Sequence, residues 1–177
     1  MILYFVDVET TGLSPQKNTI VEFCAIKHVD RVEVDRLYMK IKPTMRDLQK
    51  SSPVAMAVNG YNTEKWADAV EQPEAARRIA KFLFGSANAA MVAHNVKFDS
   101  GFIRHFLNRH GADHVLPYRK IDTVSLAFIH LQPRGLKSMK MDEIRRFLGW
   151  SLENNHTATV DCEDCVRLFD LLVPKSG

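Results

Sequence analysis

The first forty residues alternate between apolar runs and short polar breaks, which is the pattern of successive strands. Residues 1–9 are almost all apolar, β-branched or aromatic, as in a strand that is covered on both faces. Two further strands are predicted over residues 19–29 and 32–42, and the polar pair Asp30-Arg31 between them marks a short hairpin turn. The chain is therefore expected to begin with strands in antiparallel order.

Beyond residue 42 the pattern changes to helices separated by short strands. The segment between Pro43 and Pro73 breaks into short polar pieces, which indicates loops with one or two helical turns. The remaining apolar patterns predict strands at 89–93 and 118–121 and helices at 74–84, 97–110, 123–131, 138–148 and 157–172. This order is typical of an α/β fold with one mixed five-stranded sheet, its first three strands antiparallel, flanked by helices. No repeat or linker divides residues 1–177, so a single domain is expected.

Composition describes an ordinary globular protein and leaves several functions open. The chain is 46% hydrophobic and 25% charged, and its net charge of +3 permits a nucleic-acid partner without requiring one. Three cysteines are too few for a disulfide framework, and no signal peptide opens the sequence, so a cytoplasmic setting is expected. No apolar run approaches the roughly 18 residues that a membrane span requires, so no membrane partner is expected.

Two acids interrupt the first predicted strand. Asp7 and Glu9 lie two residues apart, so their side chains project from the same face, about 7 Å apart along the strand. Burial costs each charge several kcal/mol unless another group pairs with it. Because no Lys or Arg lies within seven residues of the pair, a distant side chain or a bound cation must neutralise it.

Two more acids and a histidine fall at comparable places. Asp99 lies early in the helix that follows strand 89–93, where an aspartate is also common as an ordinary helix-start residue. If Thr157 caps the last helix, His156 and Asp161 can both face the end of the sheet, although an exposed loop histidine and a solvated aspartate are the ordinary alternative. Oxygen ligands alone suit Mg²⁺ or Mn²⁺, and four carboxylates are available: Asp7, Glu9, Asp99 and Asp161.

These segments resemble the three motifs of the DEDDh 3′→5′ exonucleases, the DnaQ-like family that includes the proofreading subunit of bacterial replicative DNA polymerase. The motifs are similar to DVETTGL at 7–13, VAHNVKFD at 92–99 and HTATVD at 156–161. The resemblance runs from residue 2 to about 170 and implies a ribonuclease H-like fold that hydrolyses phosphodiester bonds at 3′ ends. One departure is the segment NGYN at 59–62, where the family often has Gly-Ile.

The resemblance also implies a role for each matching residue. Two divalent cations, Mg²⁺ or Mn²⁺, would be held by the four carboxylates, with His156 as the general base. Leu13 would wedge against the last base, and His94 and Phe98 would line one pocket, although Phe98 also fits the apolar stripe of its helix. The implied substrate contacts are Thr10, Thr11, Gly12, Leu13, Tyr61, His94, Asn95 and Phe98. Asp122, which opens a helix after a short strand, is interpreted as a structural cap.

The implied partner is a nucleic acid with a free 3′ end. Single-stranded DNA is favoured, because stacking and backbone contacts tolerate any base. An RNA-trimming exonuclease and a non-catalytic interaction module are the alternatives, and a polymerase or replication protein is a further candidate partner. The densest basic cluster, residues 134–140 with Arg145 and Arg146, either tracks phosphates or forms a solvated helix face. Cys162 and Cys165 lack a second cysteine pair, so half-buried thiols are expected there and not a zinc site.

Overall fold

A computed structural model describes residues 1–84, 88–152 and 157–174, and its centre is a five-stranded sheet. The strands lie in the order β3-β2-β1-β4-β5. β1 pairs antiparallel with β2, and β2 with β3, whereas β4 runs parallel to both β1 and β5. Their bounds are Ile2–Thr10, Ile20–Val29, Val32–Lys40, Ala89–Ala93 and Arg119–Asp122. The predicted mixed sheet with an antiparallel beginning is thereby confirmed.

Seven α-helices and one 3₁₀ turn connect or flank these strands in the described part of the chain. The helices α1 to α7 are Met45–Gln49, Pro53–Val58, Gln72–Phe82, Val96–Arg109, Thr123–Leu131, Met141–Leu148 and Ala158–Leu172, and the 3₁₀ turn is Gln132–Arg134. The prediction of a helix from residue 138 is wrong at its start, because Ser138 Oγ accepts the Lys140 N–H and such a local bond competes with helix formation. Within the described residues, no helix combines the length and apolarity needed to cross a membrane.

Helices cover both faces of the sheet, and β1 alternates between them. Tyr4 and Val6 belong to the apolar cluster that includes α3 and α4, whereas Leu3 and Phe5 pack with α7. Successive side chains of a strand point to opposite faces, so the two acids of β1 follow Leu3 and Phe5 onto the α7 side. The fold therefore directs both acids toward the last helix of the chain.

A third apolar cluster fixes α6 against α7. It joins α5, α6 and α7 through Ala127, Leu131, Leu136, Ile144, Leu168 and Leu172. Burial of this kind contributes about 25 cal/mol per Å² of apolar surface, so the packing holds α6 in a defined position on α7. As a consequence, polar side chains on the facing turns of these two helices are brought within bonding distance.

Two of the three cysteines are more buried than expected. Cys162 and Cys165 have exposed fractions of 0% and 1%, so the prediction of half-buried thiols is wrong in degree. The reason is that α7 presses this turn onto β1, where Cys162 Sγ lies 3.3 Å from the Phe5 carbonyl oxygen. In the described part of the chain the cysteines are free thiols and belong to no cluster of metal-binding side chains.

Candidate active site

Three carboxylates converge where β1 ends and α7 begins. Asp7 and Glu9 come from β1, and Asp161 comes from the first turn of α7. One oxygen of each lies within 4.8 Å of the others, so the three together could hold a metal ion. Thr157 caps α7 as expected, since its side chain accepts a hydrogen bond from the Val160 N–H. This cap fixes the start of the helix and thereby places Asp161 above the strand.

Burial and mutual repulsion keep the two acids of β1 from ionising easily. The pKa of Asp7 lies well above its ordinary value because its partly buried side chain is desolvated and because Asp99, Asp161 and Glu9 add negative charge around it. Burial raises the pKa of Glu9 to about 8, with further contributions from Asp161 and from Glu22, its direct neighbour on β2. An opposite charge would lower both pKa values, so the site favours a cation.

Asp99 lies beside this cluster and is bonded to the backbone of β1. Its Oδ1 accepts a hydrogen bond from the Val8 N–H at 3.2 Å, and its exposed fraction is 3%. Burial raises the pKa of Asp99 to about 8, and hydrogen bonds from its own N–H and that of Val8 oppose the shift. The structure thus brings three of the four expected ligands, Asp7, Glu9 and Asp161, within reach of one ion. The fourth, Asp99, is bonded to the backbone of β1 between Asp7 and Glu9.

The pattern of the sequence did not reveal that Arg145 belongs to this site. Its guanidinium is buried, with 1% of the side chain exposed, and it bonds Asp161 at 2.6 Å, Asp164 at 2.5 Å and Asp142 at 3.0 Å. The expected basic cluster is therefore wrong for Arg145, because apolar packing of α6 on α7 turns this side chain inward. Arg146 instead pairs with Glu143 at the surface.

A small cavity of about 340 Å³ lies between the acids and α6. Its walls are Asp7, His94, Lys140, Met141, Asp142, Arg145 and Asp161. The His94 ring is held on both sides, with Nδ1 at 2.9 Å from Thr123 Oγ1 and Nε2 at 2.7 Å from the Met139 carbonyl oxygen. Burial lowers the pKa of His94, which favours the neutral ring. Both ring nitrogens are thus engaged within the fold.

Asp122 acts as the expected cap and also supports a second helix. Its side chain accepts the Val124 N–H at 2.9 Å at the start of α5. The same carboxylate accepts the N–H groups of Asn95 at 3.0 Å and Val96 at 3.2 Å, at the start of α4. One side chain therefore fixes two helix N-termini relative to each other, where negative charge is favourable.

The turn after β1 is fixed by hydrogen bonds that engage most of its backbone. Thr11 N–H donates to the Thr19 carbonyl at 2.9 Å, and the Thr11 carbonyl accepts the Ser52 N–H at 2.7 Å. The Thr10 carbonyl accepts Asn59 Nδ2 at 3.0 Å. The Thr11 carbonyl also accepts a second hydrogen bond, from Asn18 Nδ2 at 3.4 Å. The expected contact of this turn with a substrate remains a prediction.

Gly12 lies close to the side chain of Asn18, whereas Leu13 projects into solvent. A Cβ on Gly12 would lie 2.6 Å from Asn18 Oδ1, so any side chain at this position would require the Asn18 amide to move. Asn18 in turn fixes the turn by accepting the Ser14 N–H and donating to the Lys50 carbonyl. Leu13 follows with 82% of its surface exposed, so an apolar side chain projects from a rigid turn directly beyond the acids.

A groove of about 670 Å³ runs between this turn and α4, and we refer to it as the α4 groove. Its walls are Leu13, Pro15, Gln16, Asn95, Val96, Lys97, Phe98, Ser100, Gly101, Phe102, Arg104, His105 and Lys120. Phe98 packs its ring on Phe102, with the ring centroids 4.8 Å apart, and also lines the groove, so its expected contact with a base remains a prediction. The expectation that His94 shares this pocket with Phe98 is wrong, since its bonds to Thr123 and Met139 hold the ring in the cavity beside α6.

Of three other expected site residues, one lies at the α4 groove, one lies away from it and one is not among the described residues. Asn95 adopts the left-handed conformation with φ of 73°, which Asn tolerates better than most residues, and its side chain lies at the α4 groove. Tyr61 packs its ring on Trp66 at 5.2 Å and does not line the α4 groove. His156 lies outside the described residues. The role of each remains a prediction.

The protein family described as Exonuclease (RNase_T) matches residues 4–169, which is nearly the whole chain. The chain belongs to this exonuclease family. Its resemblance to the DnaQ-like 3′→5′ exonucleases is thereby confirmed, and the motifs that carried the resemblance supply the acids that converge at the end of β1.

Relatives are similar to nearly the whole chain in sequence, and solved structures are similar to it in fold. The chain is 34% identical over 164 residues to the DNA polymerase III PolC-type of Clostridium perfringens, a match covering 92% of this chain and 10% of the relative. It superposes on E. coli exonuclease I in complex with a dT13 oligonucleotide with a TM-score of 0.81 and 19% identity, covering 98% of this chain and 41% of the other. A zinc-bound exonuclease I complex with single-stranded DNA gives a TM-score of 0.77, 20% identity and coverage of 94% and 39%. The chain thus spans about a tenth of the length of the curated relatives it matches.

Proposed function

We propose that this exonuclease domain removes nucleoside monophosphates from the 3′ ends of DNA in a metal-dependent reaction, with single strands preferred. The observation that carries the proposal is the convergence of Asp7, Glu9 and Asp161 within 4.8 Å, in a chain of the exonuclease family. Repelling carboxylates destabilise a fold unless a cation neutralises them, so their proximity favours a catalytic site over a non-catalytic interaction module.

The residues present fit a pair of divalent cations. Asp7, Glu9, Asp99 and Asp161 would hold them, and oxygen ligands alone favour Mg²⁺ or Mn²⁺. When bound, two such ions activate a water molecule and neutralise the charge that builds on the phosphate oxygens. The zinc-bound exonuclease I complex supports a divalent ion in this fold.

The remaining residues of the site would accept a proton, position an acid or contact the substrate. His156 is proposed as the general base, because a histidine with a pKa near 6.5 is largely neutral at pH 7 and can accept a proton from water. Arg145 would hold Asp161 in place through its hydrogen bond to Oδ1. The exposed Leu13 would press against the last base, while the carbonyl oxygens of Thr10 and Thr11 lie in the adjoining turn.

DNA is the proposed substrate because the similar proteins act on or bind DNA. The PolC-type relatives are DNA polymerases, and the solved exonuclease I structure holds a dT13 oligonucleotide. By the same analogy, a polymerase or another replication protein is a proposed partner. RNA is the alternative substrate.

The test uses 5′-labelled single-stranded DNA and RNA of one sequence, incubated with the protein and Mg²⁺ or Mn²⁺. We expect a ladder that shortens from the 3′ end of DNA and disappears with EDTA or in the Asp7→Ala variant. Asp113→Ala, which removes an exposed acid, is the matched control and should cleave like the unmodified protein. Faster cleavage of RNA would reverse the substrate assignment, and absence of cleavage together with absence of metal binding by calorimetry would refute the proposed function.

A further inference from the structure

A cavity of about 370 Å³ lies at the end of α4 that is remote from the acids, and we refer to it as the Arg109 pocket. Arg109 follows Asp99 by ten residues in this helix, which corresponds to about 15 Å along the helix axis. Its walls come from the turn after β1, from α1, from the start of α3 and from the end of α4, and every residue described in them is polar. Because the α4 groove shares only Gln16 with this lining, the two cavities are distinct.

Positive charge predominates in the Arg109 pocket. Its described lining holds one acid, Asp47, and four side chains that are cations at neutral pH, those of Lys17, Arg46, Lys50 and Arg109. The net charge of these five groups is +3, which equals the net charge of the whole chain. Within the residues that the structure describes, Lys17, Arg46 and Lys50 form no ion pair. The opposing partial charge at the C-terminal end of α4, about half an elementary charge, is much smaller.

The acid of the pocket belongs to its floor and is already bonded. Asp47 Oδ2 accepts hydrogen bonds from the N–H and hydroxyl groups of Thr44 at 2.9 and 2.6 Å and from Gln72 Nε2 at 2.8 Å. Partial burial alone would raise the pKa of Asp47, but the hydrogen bonds from Thr44 and Gln72 keep it below its ordinary value. Asp47 and Gln72 are 8% and 4% exposed, so the floor is a fixed polar surface.

The end of α4 is held in position over this floor. Arg109 Nη2 donates to the carbonyl oxygens of Pro15 at 3.2 Å and Asn18 at 3.3 Å, and Nη1 lies 3.9 Å from Asp47 Oδ1. His110 Nε2 lies 3.0 Å from Gln72 Oε1, and since an amide oxygen only accepts, this ring nitrogen carries the proton. Arg109 is thereby ordered before any ligand binds, which lowers the entropic cost of binding an anion.

Size and charge together favour a compact anion with more than one negative charge. The Arg109 pocket has little more than half the volume of the α4 groove, about 370 against about 670 Å³. A terminal phosphate carries a charge of about −1.5 to −2 at pH 7, whereas a phosphodiester carries a single charge. Its oxygens accept charge-assisted hydrogen bonds from both lysine and arginine, which differ in geometry but both bind phosphate.

We infer that the Arg109 pocket binds a terminal phosphate, with its oxygens on Lys17, Arg46, Lys50 and Arg109. This chemistry is shared by inorganic phosphate and by a nucleoside 5′-monophosphate. The inference goes beyond the proposed function, because binding at this second site requires neither cleavage nor a divalent ion. A domain that releases nucleoside monophosphates would here bind its own product.

Two variants remove positive charge from different walls of the Arg109 pocket. Arg46→Gln/Lys50→Gln changes α1 and the residue that ends it, and Lys17→Glu changes the turn after β1. These three side chains are exposed, so the fold should be retained. The matched control is Arg78→Gln/Lys81→Gln, which changes exposed residues of α3 that lie outside the pocket. Each of the three variants makes the net charge more negative by two.

Binding is measured by calorimetry at constant ionic strength, in buffer freed of divalent ions by a chelating resin. The ligands are inorganic phosphate, thymidine 5′-monophosphate, thymidine and the diester thymidylyl-thymidine. We expect both pocket variants to weaken binding of the first two ligands about tenfold, while the α3 control resembles the unmodified protein. The diester should bind about tenfold more weakly than the monophosphate, and thymidine should not bind.

Nuclear magnetic resonance locates the bound anion. The imidazole C–H resonances of His110 should shift as thymidine 5′-monophosphate is added at constant pH, and the shift should saturate with the dissociation constant that calorimetry gives. His130, which is exposed on α5 and lies outside the pocket, is the control and should not respond.

The outcomes separate the Arg109 pocket from the proposed function. Weaker binding in the two pocket variants alone supports the site, and the relative affinities of inorganic phosphate and the nucleotide then show whether the nucleoside contributes. Equal binding by all four proteins, or equal affinity for the monophosphate and the diester, would overturn the inference and leave the proposed function standing. Conversely, a protein that cleaves no DNA but loses phosphate binding in both pocket variants would retain this site while the proposed function fails.

Discussion

Arg145 donates a hydrogen bond through Nη2 to Oδ1 of Asp161 at 2.6 Å, from a side chain that is 1% exposed. A residue of α6 thus supplies positive charge to Asp161, the acid that α7 contributes to the cluster. Because the same guanidinium also bonds Asp142 and Asp164, it connects two helices to the acidic cluster. A group that is buried and bonded to three acids contributes to stability chiefly through what its loss would leave unpaired.

Replacement of Arg145 by methionine should therefore destabilise the protein strongly. The variant leaves three partly buried acids without their common partner, and breaking a buried ion pair in this way typically lowers the free energy of unfolding by about 3–5 kcal/mol. Urea denaturation followed by circular dichroism in metal-free buffer measures the change. The free energy of unfolding of Arg145→Lys should lie between those of the unmodified protein and Arg145→Met. An ammonium keeps the charge but lacks the planar fork that reaches three carboxylates.

The neighbouring residue provides the control for this prediction. Arg146 is exposed and pairs with Glu143 on the same helix, and an exposed pair is worth at most about 1 kcal/mol. Arg146→Met should therefore change the free energy of unfolding only slightly. Equal effects of the two substitutions would show that the buried network around Arg145 does not stabilise the fold.

The fold could be predicted from the sequence where apolar patterning alone determines an element. β4 has the predicted bounds, and β1 and α4 lie within one residue of theirs, since an apolar run or stripe defines each of them. α6 starts later than predicted because Ser138 and Met139 make polar contacts, to Lys140 and to His94, that end or delay a helix. Hydrophobic periodicity carries no information about such contacts.

The acids of the site could be predicted because they interrupt the apolar pattern, whereas Arg145 could not be predicted in this way. A carboxylate inside an apolar strand contradicts its surroundings and is conspicuous in the sequence. Arg145 lies in a basic segment, and its partners Asp161 and Asp164 lie 16 and 19 residues away on another helix. The available signal was its position on the apolar stripe of α6, four residues after Met141 and three before Leu148, where an arginine must be buried or paired.

Removing the charge of Asp7 should stabilise the metal-free protein at high pH. The raised pKa of this group means that its ionisation opposes folding, and Asp7→Asn keeps the shape while abolishing the charge. We expect a higher melting temperature for Asp7→Asn at pH 8, with a difference that shrinks toward pH 4, where the folded protein keeps Asp7 protonated. In a chain of this size about 1 kcal/mol corresponds to about 2–4 °C. The exposed Asp113→Asn is the control, and an unchanged or lower melting temperature for Asp7→Asn at pH 8 would count against repulsion in the acidic cluster.

The stability of the metal-free protein should fall as pH rises from about 4 to about 8. Glu9 and Asp99 have a pKa of about 8 when folded, above their ordinary values, so the folded state binds more protons than the unfolded state in this window. Each group then lowers stability by up to about 1.4 kcal/mol per pH unit, and the loss ends above the folded pKa. Thermal unfolding in EDTA across this range checks the sign, and a melting temperature that rises with pH would contradict it.

Divalent ions should reverse that trend. Carboxylates must lose their protons to bind a metal, so Mn²⁺ or Mg²⁺ should raise the melting temperature more at pH 8 than at pH 5. At a hundred times the dissociation constant, a ligand that binds only the folded state stabilises it by about 2.7 kcal/mol. The Asp7→Asn variant should gain much less from the ion than the unmodified protein. Equal gains in both proteins would indicate that the ion binds elsewhere.

Substitution of His156 tests its proposed role as the general base. His156→Ala should leave Mn²⁺ binding by calorimetry nearly unchanged while lowering turnover by about 10²–10⁴, the usual contribution of a general base. The exposed His130→Ala serves as the control and should retain turnover. Added imidazole should restore part of the activity of His156→Ala and none in Asp7→Ala, because a small base can replace a missing proton acceptor but not a missing ligand. Near-normal turnover of His156→Ala would remove this residue from the reaction, and loss of Mn²⁺ binding would assign it to the metal site instead.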